Sequence, residues 1–432
     1  MSRFFSKLRG NTATESTEGG SSSSKEVEAS AAAATGESHD GAPVEEEVVL
    51  NESKRTIISH LLKQIKFGEP IKHLSLPCFV LQPRSMLESF TDTFNCLDEL
   101  YRIQEIQDDE KRFIQFLKFS LTAWHTRPKG IKKPFNPVIG ELYDCYWDPS
   151  IDEKEKMQGT TETGDDVSHF VSEQISHHPS CSAFCFYNKN RGVVVNGNVN
   201  PTYVKFYGNF AESSLRGLIV YHFLKINQVY EMTLPVIGVR GVVLGKLAPF
   251  VNGKAVIRSA DGKYQAHLEY LTNGLLSSSK NHNGIKGHVT VNGKTLYKIK
   301  GHWDSQIFIT PDSSSISSAN LPNDHILMDC KKLKKYSHFN YPIERQPKNS
   351  SENIWRVVID SINNNDDKTT AEEKARIEQK QRVEEAQRKE KGVSWVPERF
   401  VLKPYNSEYP ETYIYKDLES IFPNYYSSKP TS

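Results

Sequence analysis

Apolar and polar positions follow different rhythms along this chain, and the changes of rhythm mark its parts. Residues 1 to about 50 follow none: "EGGSSSSKEVEASAAAATGES" is rich in Ser, Ala, Gly and Glu. Such a stretch buries too little apolar surface to offset the entropy of ordering, so it reads as a disordered tail. From Asn51 helical spacing begins, with Ile57, Ile58, Leu61, Leu62 and Ile65 on one face and Gly68 as a stop signal. A second helical pattern covers about 108–125, where Phe113, Ile114, Phe116, Leu117 and Trp124 make a broad apolar face before Pro128.

Between about 139 and 310 the period becomes two, as in "FVSEQ", "SAFCFY", "GVVVNGNV", "LIVYHFLKI", "KYQAHLEYL" and "TLYKIKGHW", with Gly, Asn and Ser clusters between the segments. These are consecutive antiparallel strands, and so many in one run curl and close because closure removes exposed edges. The predicted fold is mainly β with flanking helices: a large antiparallel barrel over about 130–310, wide enough to enclose a ligand cavity. Helical pattern returns over about 350–425, in "NIWRVVIDSI" and "TTAEEKARIEQKQRVEEAQRKEKG". The second opens with a capping box, Thr370 to Glu373, and stops near Gly392. Its few apolar residues, Ala371, Ala375, Ile377, Val383 and Ala386, predict a surface helix whose charged face is solvated. Residues 51–425 together read as one domain.

Composition narrows the partners. With 54 basic and 53 acidic residues the net charge is +1, so no global field draws the chain to nucleic acid or to an anionic membrane, and any such attraction must be local. No apolar run approaches the roughly 20 residues that span a bilayer, and "MSRFFSKLRG" lacks the apolar core of a signal peptide, so the chain reads as cytosolic. That first stretch does interleave Phe4, Phe5 and Leu8 with Arg3, Lys7 and Arg9, the pattern of a short membrane-surface helix. The 6 cysteines are scattered without a CxxC pair, which fits reduced thiols.

The chemistry concentrates in "EQISHHPSCSAFC", Glu173 to Cys185. A zinc site fails on spacing: the alternation makes a strand, so Cys181 and Cys185 sit about 13 Å apart at roughly 3.3 Å per residue and cannot converge on one ion. Both are expected in the core. No GxSxG elbow supplies a nucleophile for His177 or His178, and "GVRGVVLGK" has the wrong spacing for a phosphate-gripping loop, so it reads as a strand flanked by glycines. No enzyme and no metal are expected. Two histidines beside Pro179 at a strand's start are costly to bury alone; they are either exposed or satisfied by an anion such as phosphate. Other cations lie in constrained settings. Lys132 and Lys133 precede two prolines in "KGIKKPFNPVIGELY", and Lys374, Glu378 and Arg382 recur every four residues on one helix face.

Together these segments resemble the oxysterol-binding-protein-related family of lipid-transfer proteins. Its signature EQxSHHPP stands here as "EQISHHPS", and the match extends through "LPCFVLQPRSML" and "KKPFNPVIGE" before it and "GHWDSQIFI", "IWRVVIDSI" and "EEKARIEQKQR" after it, in family order, covering roughly residues 54–415. Ser180 replaces the second proline, which implies a looser turn with both imidazoles in place. The resemblance implies a short form without further targeting domains. It would be a nearly closed barrel around a lipid tunnel beneath an N-terminal lid at about 51–80, a monomer with no cofactor, in transient contact with intracellular membranes. It implies phosphatidylinositol 4-phosphate as ligand. His177, His178 and Arg382 would hold the ring phosphate, and Lys133, Asn136, Lys374 and Glu378 the rest of the headgroup. Ile57, Leu61 and Ile65 of the lid, with Leu76, would cover the acyl chains. Two chains of roughly 30 methylenes in all cost on the order of 25 kcal/mol in water, which is why a lid is needed. The exchanged lipid is phosphatidylserine in preference to sterol; the alternative is a phosphoinositide or sterol sensor or scaffold without net transport.

Overall fold

Alternating segments become strands wherever one side faces an apolar interior. The computed structural model describes residues 80–126, 132–151, 165–202, 204–241, 248–272, 283–313, 325–409, 411–423 and 425. The expected tail, the lid and its residues Ile57, Leu61, Ile65 and Leu76 lie outside the described residues.

A small parallel pair, β1 (Leu81–Ser85) and β2 (Lys133–Phe135), stands apart from the main sheet. The main sheet begins with β3 (Leu142–Trp147), β4 (Ser168–His177), β5 (Ser180–Asn188) and β6 (Val193–Pro201). It continues through β7 (Lys205–Phe206), β8 (Phe210–Arg216), β9 (Leu218–Phe223), β10 (Gln228–Thr233), β11 (Val236–Arg240) and β12 (Ala248–Ser259). Then come β13 (Tyr264–Leu271), β14 (Gly284–Val291), β15 (Lys294–His302), β16 (Gln306–Pro311), β17 (His325–Asp329) and β18 (Phe339–Asn340). Pairing is antiparallel in the order β18-β3-β4-β5-β6-β9-β10-β12-β13-β14-β15-β16-β17, with β7, β8 and β11 forming a side flap. The sheet therefore runs past residue 310, where alternation was expected to stop. β18 has two residues, too few to show a period.

Residues 330–338 carry the chain from one end strand to the other, a span of at most about 30 Å. They cross the helical turns at 86–105: the Tyr336 amide donates to the Asn95 carbonyl at 2.8 Å and its hydroxyl to Asp98 at 2.7 Å. The sheet thus curls into a barrel, and inner faces from β3 to β17 share one core with α1 (Asp109–Thr126). The apolar face of α1 packs on these inner faces: Phe116 stacks on Tyr230 at 4.4 Å and Phe113 on Tyr264 at 5.4 Å. The Trp124 indole donates to the Tyr270 hydroxyl at 2.7 Å. On β13, Tyr264, Ala266, Leu268 and Tyr270 point inward in strict alternation.

β4 to β6 are buried on both faces because a late hairpin, β19 (Phe400–Pro404) and β20 (Glu411–Tyr415), packs outside them. Cys185 is buried there and Cys181 half-buried, as core thiols. The 350–425 region is thus not purely helical. It comprises α2 (Ser351–Asn363), α3 (Asp367–Glu390), this hairpin and a helical turn at Leu418–Ile421.

Candidate functional site

Three segments distant in sequence meet at one rim. The first is the loop 136–141. Phe135 anchors it, buried and stacked on Trp355 at 4.8 Å. The buried Glu141 carboxylate accepts from the Val138 amide (3.0 Å), the Ser351 hydroxyl (2.7 Å) and the Trp355 indole (2.9 Å). Gly140, at φ +73°, donates its amide to Gln174 at 2.9 Å, and a Cβ there would sit 2.3 Å from the Trp395 ring. Only glycine fits both the conformation and the contact.

The second is the β4–β5 hairpin. His177 ends β4 and pairs with Ser180, which opens β5, so His178 and Pro179 form the turn itself. His177 therefore closes one strand and His178 lies in the turn, rather than both beginning the next strand. Ser180 is tied into this turn by a hydrogen bond. Gln174 donates through Nε2 to the Ser176 carbonyl (2.7 Å) and the Ser180 hydroxyl (3.2 Å), while its Oε1 accepts from Ser182 (2.5 Å). A proline at 180 would offer no such acceptor.

Glu173, fully buried, accepts the amides of Glu398 and Arg399 at 2.8 Å each, tying the hairpin to the chain after α3. Glu173→Ala orphans both amides and is expected to cost about 2–4 kcal/mol, read by urea unfolding. A loss below about 0.5 kcal/mol would contradict this structural role.

His177 Nδ1 lies 3.2 Å from the Pro137 carbonyl, which can only accept, so Nδ1 carries the proton and Nε2 remains for a ligand. The half-buried His177 ring meets the exposed His178 ring edge-on at 4.6 Å. Desolvation, and then the charge of His178, hold His177 below the usual histidine range.

The third is α3. Its N-cap is Asp366, whose carboxylate accepts the Thr369 amide at 3.0 Å, so the expected Thr370–Glu373 capping box does not form. Thr370 is buried instead and shares a 2.8 Å hydrogen bond with Ser361. The inward stripe is Thr370, Ile377 and Gln381, whereas Ala371, Ala375, Val383 and Ala386 are exposed. Ile377 thus faces inward and Arg382, its side chain 62 % exposed, is solvated, both as expected for a surface helix. Lys374 and Glu378 flank the buried stripe instead of lying on a solvated face, with side chains 15 % and 33 % exposed. The Lys374 ammonium pairs with Glu378, and Arg382 approaches the same carboxylate at 3.7 Å. Gln381 Oε1 accepts the Ile139 amide at 3.0 Å, joining α3 to the 136–141 loop.

Lys133 donates to Asn136 Oδ1 at 2.6 Å. Desolvation, followed by the charge of Lys374, pushes its ammonium down to about 8. The fields of Lys374 and Glu378 reach Lys133, and Glu378 also acts on His177. Lys133, Asn136, His177, His178, Lys374, Glu378 and Arg382 thus form one cluster. Glu385 belongs to it as well, 4.0 Å from His178 Nε2 and paired with Lys389 at 3.1 Å. Its one signal in the sequence is a position seven residues past Glu378. Gln174 and Gln381 were likewise unforeseen, because their work is internal hydrogen bonding.

An arrangement of imidazoles, two lysines and an arginine around few carboxylates suits a ligand with several negative charges. Beside a barrel of this kind it defines a class, the lipid-binding barrels. The chain belongs to the oxysterol-binding protein family, a class of lipid-binding and lipid-transfer proteins: the family model for oxysterol-binding protein matches residues 60–420. It is similar to Oxysterol-binding protein 12 of Dictyostelium discoideum, 51 % identical over 403 residues that cover 89 % of this chain and 99 % of that one. Its fold is similar to the Osh1 ORD domain solved with ergosterol (TM-score 0.62, 17 % identity, covering 86 % of this chain and 88 % of that one). It is also similar to the Osh3 ORD of Saccharomyces cerevisiae solved with PI(4)P (TM-score 0.58, 19 % identity, covering 84 % and 90 %).

Proposed function

We propose that this protein transfers lipids between intracellular membranes, binding phosphatidylinositol 4-phosphate and exchanging it for a second lipid, phosphatidylserine in preference to sterol. The observation that carries this reading is the convergence of Lys133, the His177–His178 pair, Lys374 and Arg382 from three segments onto one rim. His177, His178 and Arg382 take the ring phosphate; Lys133, Asn136, Lys374 and Glu378 take the remaining oxygens and hydroxyls of the headgroup. The phosphate replaces Glu385 beside His178, and its charge favours protonated imidazole and a charged Lys133 amine.

The acyl chains enter the barrel, and Ile57, Leu61, Ile65 and Leu76 cover them, since each exposed methylene costs about 0.8 kcal/mol in water. Binding requires no bond to be made or broken, so labelled lipid is recovered unchanged. The protein works in the cytoplasm as a monomer that touches membranes transiently. Support for a lipid in each role comes from domains of similar fold solved with PI(4)P in one case and ergosterol in another.

The test uses two vesicle populations. Donor vesicles carry fluorescent phosphatidylserine and acceptors carry phosphatidylinositol 4-phosphate; transfer is expected, with several-fold acceleration by the counter-lipid. Binding without transfer would favour the sensor or scaffold reading.

A further inference from the structure

The segment that leaves α3 is built as a rigid, exposed apolar tip. Every residue from Lys389 to Val396 is exposed, and three of the eight are large and apolar: Val393 at 57 %, Trp395 at 36 % and Val396 at 76 %. Both ends are fixed. At the start, Gly392 turns the chain at φ +63°, with its amide on Lys389 O (3.1 Å) and the Val393 amide on Arg388 O (2.9 Å), a helix-ending pair of hydrogen bonds. At the far end Lys416 donates to the carbonyls of Pro397 and Glu398 at 2.7 Å, and Glu173 holds the next two amides. Trp395 lies against Gly140 on one side, with the Arg388 guanidinium 5.6 Å from its ring.

The two valines are thus held out in water by a supported loop, an arrangement that marks an interaction surface. Cations flank it: Lys391 is exposed at the turn and Arg388 lies half-buried against Trp395, while Lys389 is paired with Glu385. Tryptophan with flanking cations suits a bilayer interface, where the ring sits at headgroup level and the cations meet phosphates. The tip also borders the anion cluster. Gly140 under Trp395 adjoins Ile139, which bonds Gln381, and Glu385 on the last turns of α3 faces His178.

We infer that residues 388–396 form a membrane-docking tip that sinks Val393 and Val396 into the headgroup layer of an anionic bilayer, with the exposed Lys391 toward its phosphates. The inference rests on the proposed headgroup function in one respect: that function is what brings a bilayer to this rim.

The test compares the full chain with V393S/V396S and V393E/V396E in two assays. Flotation with phosphatidylcholine vesicles holding about a fifth phosphatidylserine and no phosphoinositide reads docking. Titration with a water-soluble short-chain phosphatidylinositol 4-phosphate reads the cleft. The expected result is vesicle binding reduced at least fivefold in the serine variant and further in the glutamate variant, with short-chain binding within twofold of the parent. Vesicle binding equal to the parent's overturns the tip. Loss of short-chain binding in either variant overturns it as well, because the valines would then serve the cleft or the fold. A parent chain that binds no short-chain phosphoinositide overturns the headgroup function instead, and the flotation arm still decides the tip.

Discussion

Replacing His177 and His178 together by alanine is expected to weaken phosphatidylinositol 4-phosphate binding by about 100-fold or more, while the second lipid binds within a few-fold of the parent. Hydrogen bonds to a charged group contribute about 1.5–3 kcal/mol each, so two lost imidazole donors remove about 3–6 kcal/mol, and every 1.4 kcal/mol is tenfold. Both rings sit at the hairpin turn, one half-buried and one exposed, so the fold has little invested in them. His177 gives one hydrogen bond to Pro137, whereas Glu173 and Gln174 hold the hairpin from beneath. Thermal unfolding of the double variant should therefore stay close to that of the parent. Equal phosphoinositide binding by the double variant, measured by titration with lipid vesicles, would remove the pair from the site.

The second large effect is a pH dependence with Lys133 at its source. Burial, and then the charge of Lys374, hold its ammonium down to about 8, well below the usual lysine value. A bound phosphate favours the charged amine and raises that value in the complex. Below pH 8 the amine is already protonated and this group leaves the affinity flat. Above pH 8 each binding event must take up a proton, so affinity falls by up to about tenfold per unit until the value in the complex is reached. The ligand contributes nothing in this window, because a phosphate monoester is past its second ionisation near pH 6. Titrations at pH 7.5, 8.5 and 9.5 measure the slope. Lys133→Ala should lose about 10- to 100-fold at pH 7.5, the value of one charge-assisted contact, and lessen the slope above pH 8. A slope unchanged in this variant assigns the proton to another group.

The strands and α1 were legible because their apolar periods match the surface they cover. β13 alternates without exception, and Phe113, Phe116 and Trp124 of α1 face the interior as their spacing requires. β18, with two residues, holds no period, and the β19–β20 hairpin follows a stretch of helix with little alternation of its own.

On α3 the partial burial of Lys374 and Glu378 was not legible, for a physical reason. Its apolar rhythm runs through exposed alanines and Val383, while inward positions are filled by Thr370, which bonds Ser361, and Gln381, whose Oε1 accepts the Ile139 amide while its buried Nε2 has no partner among the described residues. A helix buried by hydrogen-bonded polar side chains shows no hydrophobic stripe, and its functional face then resembles a solvated one. The cluster itself joins Lys133 to Lys374, residues brought together by tertiary packing that no local pattern encodes. The family resemblance could gather them; spacing could not. Glu385 escaped even that, one carboxylate among many on a charged helix.

The most direct measurement weighs the intact complex. After incubation with vesicles containing phosphatidylinositol 4-phosphate, phosphatidylserine, phosphatidylcholine and sterol, the re-isolated chain is examined by native mass spectrometry. One phosphoinositide per chain is expected, replaced one for one as the second lipid is raised, and absent when His177 and His178 are alanine. A chain that never carries phosphoinositide, or that holds both lipids at once, contradicts exchange through a single site.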